Sequence, residues 1–187
     1  MARKELSLLT KILLFIYDNS YIVFGIFFIL VFLGWRYHNL RVLSFDTNEV
    51  NIEVKSLIKP VYIKAYPVGV DVSIKDAKII DGIWQIHPNS VSYLVTSDGI
   101  GGKSNIILYG HNKIDVLGPI RHAKIDSLIE LTGSDGNRYK YKVVKTEIVK
   151  PSNLSYLGNT EDETLTIYTC IGLFDSERFI LVAKRVI

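Results

Sequence analysis

Hydrophobic and polar positions follow two different patterns along this chain. Residues 21–35, YIVFGIFFILVFLGW, form a run without a charged side chain, and KILLFIY just before it extends the apolar character. A buried core helix would show a polar face, which this stretch lacks, so the run predicts a membrane-inserted helix. The run is shorter than the roughly 20 residues that span a bilayer, but Ser20, Tyr37 and a snorkelling Arg36 would lengthen it.

The apolar run fits an uncleaved signal anchor better than a cleaved signal peptide. It is long and aromatic, and no A-x-A-like site of small residues follows it. Arg3, Lys4 and Lys11 lie before the run, whereas Arg36 and Arg41 lie just after it, so the orientation is weakly encoded. We expect the N-terminus to be cytoplasmic.

Beyond Asn51 the chain changes to short alternating segments rich in Val, Ile, Tyr and Thr, which are typical of strands. The segments are VYIKAYPVGVDVSI, IWQIHP, VSYLVTS, NIILYG, RYKYKVVKTEIV, TLTIYT and RFILVAKRVI. Turn clusters such as SDGIGGKSN and GSDGN separate them, and one short helix is expected over residues 119–131, PIRHAKIDSLIEL. About seven or eight strands predict a closed or nearly closed antiparallel β-barrel.

These patterns divide the chain into four parts. The predicted parts are a short cytoplasmic segment over residues 1–20, a transmembrane signal anchor over 21–37, a linker over 38–58 and an extracytoplasmic β-barrel over 59–187. A length of 187 residues with 48% hydrophobic content agrees with one globular domain plus an appendage.

Charge and composition argue against several functions. The net charge of +3 divides into five basic and four acidic residues before Asn51 and seventeen basic and fifteen acidic residues from there on, so nucleic-acid binding is not expected. No Cys/His cluster has zinc-ligand spacing, and we expect neither a metal nor a cofactor. Glu161, Asp162 and Glu163 could help to bind calcium, although a solvated charge run before a strand is the simpler interpretation.

Cys170, the only cysteine, ends the predicted strand TLTIYTC. Alternation places Tyr168 and Cys170 on one face of this strand and Ile167 and Thr169 on the other. The connection IGLFDSE makes a hairpin with the next strand, which would bring Cys170 and Arg178 onto one face about 5 Å apart. A guanidinium there would stabilise a thiolate and could later face an oxyanion.

A nucleophilic cysteine also needs a proton acceptor, and the chain has four histidines. His111 follows the strand NIILYG, where a barrel can present a side chain at its rim. We expect His38 and His87 at the surface and His122 in the predicted helix. A lone cysteine in a strand is more often core filler than a reagent, but a strand-end position opposite an arginine favours the reagent.

Three sequence blocks occur together here: ILYGHN, TLTIYTC and an arginine that opens the last strand. In this combination the chain resembles the sortases, a family of membrane-anchored cysteine transpeptidases, over about residues 60–187. The segments DGIWQIHPNSVSYLVTSDGIGGKSNIILYGHN and IDSLIELTGSDGNRYKYKV are also similar to the family. The resemblance implies that Cys170 is the nucleophile, His111 the general acid/base and Arg178 the oxyanion and substrate-positioning residue. It further implies that Thr169 helps to shape the substrate groove.

The family resemblance also implies a fold and a reaction. The implied fold is an eight-stranded, mainly β barrel with short helices, preceded by a transmembrane helix. The implied partners are secreted proteins with a C-terminal LPxTG-like sorting motif and an amine acceptor from a peptidoglycan precursor or a pilin. Residues 151–163 leave little room for the extra helices that some sortases insert there, and substrate choice would be decided in this loop.

Two other functions stay open from the sequence. A catalytically silent, membrane-tethered β-barrel that binds peptides or partners would keep the groove without a reactive thiol. An L,D-transpeptidase also uses Cys and His, but the SHGC-type context of that class is missing.

Overall fold

The computed structural model describes residues 8–186, without the side chains of residues 9, 11–13, 39 and 40. Two predicted boundaries lie outside this range. They are the start of the cytoplasmic segment at residue 1 and the end of the barrel domain at residue 187. The chain divides between residues 40 and 41 into a helical unit and a β-barrel unit.

The helical unit contains α1 (Leu8–Asp18) and α2 (Ser20–Arg41). Within the described chain, Ser20–His38 is the one helical stretch long and apolar enough to cross a membrane. A helix of 22 residues is about 33 Å long, because each residue adds about 1.5 Å. The predicted anchor over 21–37 falls inside α2, and its exact boundaries stay a prediction.

Ten strands follow. They are β1 (Pro60–Ala65), β2 (Val70–Ala77), β3 (Ile79–Ile80), β4 (Ile83–Trp84), β5 (Val91–Leu94), β6 (Asn105–Gly110), β7 (Leu128–Gly133), β8 (Arg138–Val149), β9 (Thr164–Ile171) and β10 (Glu177–Arg185). Eight of them form a closed barrel in the order β1-β2-β5-β6-β9-β10-β8-β7, and β3 and β4 form a separate pair. The predicted eight-stranded, mainly β barrel is therefore confirmed.

The expectation of a purely antiparallel barrel was wrong. The pairs β2–β5 and β6–β9 are parallel. Alternation reports which face of a strand is buried and says nothing about the direction of its neighbour. The parallel β6–β9 pair matters for function, because it brings the carboxyl ends of both strands to the same edge of the barrel.

The predicted helix over residues 119–131 was also wrong. A 3₁₀ helix covers only Gly118–His122, and β7 begins at Leu128. Between them Asp126 adopts a left-handed backbone with φ 71°, which an α-helix cannot contain. Ile129 and Leu131 then alternate inward as a strand does.

Two hydrophobic clusters stabilise the barrel unit. The interior cluster fills the barrel and includes Leu165 and Ile167 of β9. The outer cluster lies on the opposite face of the same strand and includes Tyr168 and Cys170, as alternation along TLTIYTC predicts.

Part of the stretch expected to be a linker, residues 38–58, belongs to the outer cluster. Leu43, Phe45, Val50 and Ile52 are buried there, against side chains such as Trp84. These residues leave water because β9 presents apolar and aromatic side chains on both of its faces, and a barrel wall can cover only one of them.

Candidate active site

The β9–β10 hairpin places Cys170 directly opposite Arg178. The two residues are register partners in an antiparallel pair, with Thr169 opposite Phe179 next to them. Side chains of directly opposed residues lie on the same face, with Cβ atoms about 5 Å apart. The strand pairing expected from the sequence is thus present, and both side chains belong to the face that carries the outer cluster.

His111 reaches the same edge through the parallel β6–β9 pair. Gly110, the last residue of β6, is in register with Thr169. The next residues along the two strands, His111 and Cys170, therefore leave this edge side by side. Gly110 permits the close packing of the loop that follows, because a Cβ there would lie 3.0 Å from Cγ1 of Val116.

The surroundings of His111 favour the neutral imidazole. Partial burial lowers the pKa of His111, and the nearby positive charge of Lys113 lowers it further. The carboxylate of Asp175, from the β9–β10 connection, acts in the opposite direction. A neutral imidazole near pH 7 is able to accept a proton.

Cys170 is 2% exposed. Burial raises the pKa of its thiol to about 11, and the charge of Asp175 adds to this shift. Arg178, through its charge and a side-chain hydrogen bond, and the backbone of Leu43, through a hydrogen bond, lower the pKa but do not offset the burial. The thiol and the imidazole at this edge of the barrel are therefore both neutral, and a neutral sulfur is a weak nucleophile.

Arg178 is 3% exposed and makes several hydrogen bonds. Its Nη1 donates to the carbonyl oxygens of Asp175 at 2.7 Å and Glu177 at 3.1 Å. Its Nη2 donates to the carbonyl oxygen of Ser44 at 2.7 Å. Nε has no hydrogen-bond partner among the described residues. The guanidinium thus has one donor, Nε, available for a ligand, whereas Nη2 donates to the carbonyl oxygen of Ser44.

Thr169 is fully buried, and its hydroxyl donates to the carbonyl oxygen of Gly110 at 2.8 Å. This bond joins the strand that carries Cys170 to the residue just before His111. A contribution of Thr169 to the substrate groove stays a prediction, since its observed contact lies inside the protein.

The other three histidines belong to other parts of the chain. His122 belongs to the 3₁₀ helix, and its Nε2 is 3.3 Å from Nε of Arg121. The Nε2 atom of His87 lies 2.8 Å from the carbonyl oxygen of Asp76. His38 lies on α2 in the helical unit.

Within the acidic run over residues 161–163, Glu163 is hydrogen-bonded to other side chains. Glu163 accepts hydrogen bonds from the Tyr141 hydroxyl at 2.5 Å and from Arg185 at 3.0 Å. Over residues 8–186, no group of three or more His, Cys, Asp or Glu side chains has a geometry that could hold a metal ion.

Sequence reasoning missed the contribution of residues 42–45 to this site. The carbonyl oxygen of Leu43 accepts a hydrogen bond from the Tyr168 hydroxyl at 3.1 Å, and Phe45 packs edge-on against the Tyr168 ring. The alternation of Leu43 and Phe45 with Ser44 is the pattern that could have indicated an extended, half-buried segment.

Sequence comparisons relate the barrel to a known family. A sequence model of the sortase domain matches residues 68–186. Sortase A from Listeria monocytogenes is 36% identical over 92 residues, which cover 47% of this chain and only 41% of that relative.

Solved structures share the fold. Sortase C1 from Streptococcus agalactiae has a TM-score of 0.59 at 20% identity, covering 68% of this chain and 67% of that chain. A sortase D5 transpeptidase from Clostridium perfringens has a TM-score of 0.58 at 20% identity, covering 72% of this chain and 82% of that chain.

Proposed function

The chain belongs to the sortase family, and on this premise we propose that it is a membrane-anchored cysteine transpeptidase. It cleaves an LPxTG-like sorting motif in secreted proteins and transfers the product to an amine of the cell wall or of a pilin subunit. The observation that carries the proposal is the pair of registers that brings three groups to one barrel edge: Arg178 opposite Cys170, and Gly110 opposite Thr169, with His111 next.

In the first half of the reaction, the Cys170 sulfur attacks the carbonyl carbon of the threonine in the sorting motif while its proton passes to His111. A carbon–sulfur bond forms, the carbonyl oxygen becomes an oxyanion, and Arg178 donates a hydrogen bond to it. The carbon–nitrogen bond of the peptide then breaks. The leaving amine takes a proton from His111, and a thioester remains on Cys170.

In the second half, an unprotonated amine attacks the thioester carbonyl. His111 takes a proton from this amine as the new carbon–nitrogen bond forms. The carbon–sulfur bond breaks, and His111 returns the proton to the sulfur, which restores the neutral thiol and imidazole. Water competes with the amine for the same carbonyl. Hydrolysis is the slower side reaction because an unprotonated amine is a better nucleophile than water.

In this proposal α2 anchors the enzyme in the cell membrane with the barrel on the extracytoplasmic side. The apolar stretch Ser20–His38 supports the anchor, and the basic residues before it weakly support the orientation. The barrel would then meet secreted substrates as they emerge from the membrane. No cofactor enters the proposed reaction.

The test uses the full-length protein in detergent micelles with a library of sorting-motif peptides. We expect mass spectrometry to detect a thioester adduct on Cys170 in the wild type and none in Cys170→Ala. A panel of amines, including triglycine, lysine-containing pilin peptides and stem peptides, should convert the adduct into new amide products. Cleavage by Cys170→Ala at the wild-type rate would contradict the proposal.

A silent peptide-binding barrel is the second candidate, and the burial of Cys170 favours it. Alkylation with iodoacetamide separates the two. An active site gives saturable labelling that depends on His111, whereas a silent barrel keeps the thiol inert until the protein is denatured.

A further inference from the structure

Large hydrophobic side chains that face solvent gather at one edge of the barrel. Among the described residues of the barrel unit, the five most exposed large hydrophobic side chains are Leu57, Tyr66, Ile114, Leu173 and Phe174. Ile114 is 88% exposed, and Leu173 and Phe174 are each 77% exposed. All except Leu57 lie at the edge that carries the proposed catalytic groups. We call these four, Tyr66, Ile114, Leu173 and Phe174, the apolar rim.

Strand directions place the apolar rim at this common edge. β6 and β9 are parallel and end there, and Ile114 follows β6 while Leu173 and Phe174 follow β9. β5 runs antiparallel to β6 and parallel to β2, so β2 begins at this edge, and Tyr66 lies in the connection from β1 to β2. Leu57 precedes β1, which runs antiparallel to β2 and therefore begins at the opposite edge.

The backbone of the β9–β10 connection leaves two of these side chains exposed. Phe174 and Asp175 have φ angles of 53° and 57°, in the left-handed region that bulky residues seldom adopt. The carbonyl oxygen of Asp175 accepts a hydrogen bond from Nη1 of Arg178 at 2.7 Å, and the Asp175 N–H donates to the carbonyl oxygen of Gly172 at 3.3 Å. These bonds fix the connection in a shape that leaves Leu173 and Phe174 in water.

The loop after β6 shows the same arrangement. The N–H groups of Val116 and Gly118 both donate to the carbonyl oxygen of Lys113, at 3.1 and 2.7 Å. Val116 is buried in the interior cluster, whereas Ile114, two residues earlier, faces solvent. An isoleucine held in this position keeps its apolar surface in water and does not stabilise the fold. Exposed apolar surface of this kind marks a site of interaction with a protein or a membrane.

The charge at this edge argues against a polyanionic partner. The connections over residues 66–69, 111–127 and 172–177 carry three Lys or Arg and four Asp or Glu side chains. A surface that binds nucleic acid or another polyanion has an excess of basic side chains. The edge is instead apolar and aromatic with mixed charges, which suits the interface between lipid headgroups and acyl chains.

We propose that the apolar rim inserts into the interface of the membrane that holds the anchor, so that the active-site edge faces the lipid headgroups. This inference rests on the proposed function, which anchors the chain through Ser20–His38, and adds the surface on which the site works. The anchor keeps the barrel beside a bilayer at all times, so weak insertion of four side chains is sufficient. Peptide and amine then reach Cys170 along the membrane surface.

The first test measures the depth of single probes in the full-length protein, with one copy in each phosphatidylcholine nanodisc. In a Cys170→Ala background, Ile114→Cys and Phe174→Cys each carry one NBD fluorophore. Leu57→Cys is the matched control, because Leu57 is 91% exposed and lies at the opposite edge. We expect nitroxide-labelled lipids to quench both rim probes at least threefold more strongly than the control probe, because apolar and aromatic side chains settle at the interface. Equal quenching at all three positions would overturn the proposal.

Charge substitution tests whether the apolar rim inserts as a unit. Tyr66→Asp together with Leu173→Asp adds charge to the rim and leaves the probe at Ile114→Cys unchanged. We expect quenching of that probe to fall at least threefold, because a carboxylate opposes transfer into lipid. Leu57→Asp is the control and should change the quenching by less than twofold. A fall of the same size in both variants, or in neither, would contradict insertion of the rim.

Lipid charge separates the apolar rim from an electrostatic contact. Replacing half of the phosphatidylcholine by phosphatidylglycerol should change the quenching of the rim probes by less than twofold, because the charges at this edge are nearly balanced. A larger change would assign the contact to charged side chains and reject the apolar rim.

The two proposals fail in different ways. The depth measurement uses a variant without the thiol and no sorting peptide, so quenched rim probes with no peptide thioester in the wild type would retain the rim and reject the transpeptidase. Peptide thioesters in the wild type with unquenched rim probes would retain the transpeptidase and reject the rim.

Discussion

The interior and outer clusters are buried to a similar degree but are enclosed in different ways. Ile167 faces the interior, where eight hydrogen-bonded strands surround it. Cys170, three residues further along the same strand, faces outward into the cluster that contains Leu43 and Phe45, neither of which belongs to a strand. Removing a strand would open the barrel, whereas residues 42–45 pack against it without belonging to a strand. Burial alone therefore does not show whether a group is permanently inaccessible.

The chemistry of the two clusters differs as well. The interior cluster is made of hydrophobic residues, whereas the outer one is in contact with a buried arginine and holds stacked rings of Tyr109 and Tyr168. Arg178 and Trp84 each keep one buried nitrogen without a partner in the described chain. Oδ2 of Asp98 and Oδ1 of Asn105 are also buried without a partner there, so unpaired polar atoms are not confined to the outer cluster.

The largest difference is expected from Cys170→Ala. It should abolish thioester formation and turnover completely, because no other thiol exists in the chain, and leave the barrel folded, because the residue lies outside the interior. His111→Ala should stop both half-reactions, while His122→Ala should keep nearly full activity. Product analysis by mass spectrometry measures all three. Activity in His111→Ala would remove that residue from the mechanism.

Arg178→Lys should lower turnover by about 10²–10³ although it keeps the charge. A lysine ammonium cannot reproduce the planar donors that bind several carbonyls at once. The thermal unfolding curve, followed by circular dichroism, should still show a cooperative fold. Turnover close to that of the wild type would exclude Arg178 from the site.

In the interior, Ile167→Ala should reduce the free energy of unfolding by about 2–5 kcal/mol. The folded variant should keep the wild-type rate of Cys170 alkylation, because the interior does not cover the thiol. Denaturant titration and iodoacetamide labelling test both statements. Faster labelling of folded Ile167→Ala would mean that the two clusters are not independent.

High pH should act on the outer cluster through Cys170. Its pKa is raised from 9.0 in the unfolded chain to about 11 in the fold. The folded state thus holds the thiol proton more tightly than the unfolded chain does. The contribution of this proton to the free energy of unfolding is complete below pH 9 and is lost as the pH rises towards 11. The loss amounts to about 2–3 kcal/mol. In Cys170→Ala this part of the pH dependence of unfolding should disappear, and a curve unchanged from the wild type would contradict the assignment.

The smallest effect is expected from Thr169→Val. It leaves the carbonyl of Gly110 without its hydroxyl donor and should lower kcat about tenfold through a less fixed His111. Thr169→Ser should restore the rate. The acidic limb of the pH–rate profile should shift in Thr169→Val and return to its wild-type position in Thr169→Ser. A change in KM alone would point to substrate binding instead.

The β-strands and two of the site residues could be predicted because they depend on local patterns. Alternation along TLTIYTC identifies the faces of β9, and the short connection to β10 makes a hairpin that pairs Cys170 with Arg178. The placement of His111 depends on a parallel pairing between strands that are distant in sequence, which no local pattern encodes. The sequence predicts the position of His111 at a strand end but does not predict which strand lies next to it in the sheet.

The burial of Val50 and Ile52 was not predictable for a related reason. Residues 46–54, DTNEVNIEV, are polar enough to suggest a solvated linker, and only every second residue around Val50 and Ile52 indicates burial. Val50 and Ile52 belong to the outer cluster, which also contains Tyr168 and Cys170 of β9, more than a hundred residues away in sequence. The prediction of a helix over residues 119–131 was wrong for a similar reason, because Ile129 and Leu131 acquire their strand partners only in the closed barrel.

The burial of Cys170 also determines the chemical lifetime of the enzyme. A thiolate exposed outside a reducing compartment is oxidised to a sulfenic acid and then, irreversibly, to sulfinic and sulfonic acids. Without a second cysteine, this chain cannot trap the sulfenic acid as an internal disulfide. A thiol that is protonated and buried reacts slowly with oxidants, and the thiolate forms only during turnover. Damage should therefore accumulate with the number of reaction cycles and not with the age of the protein.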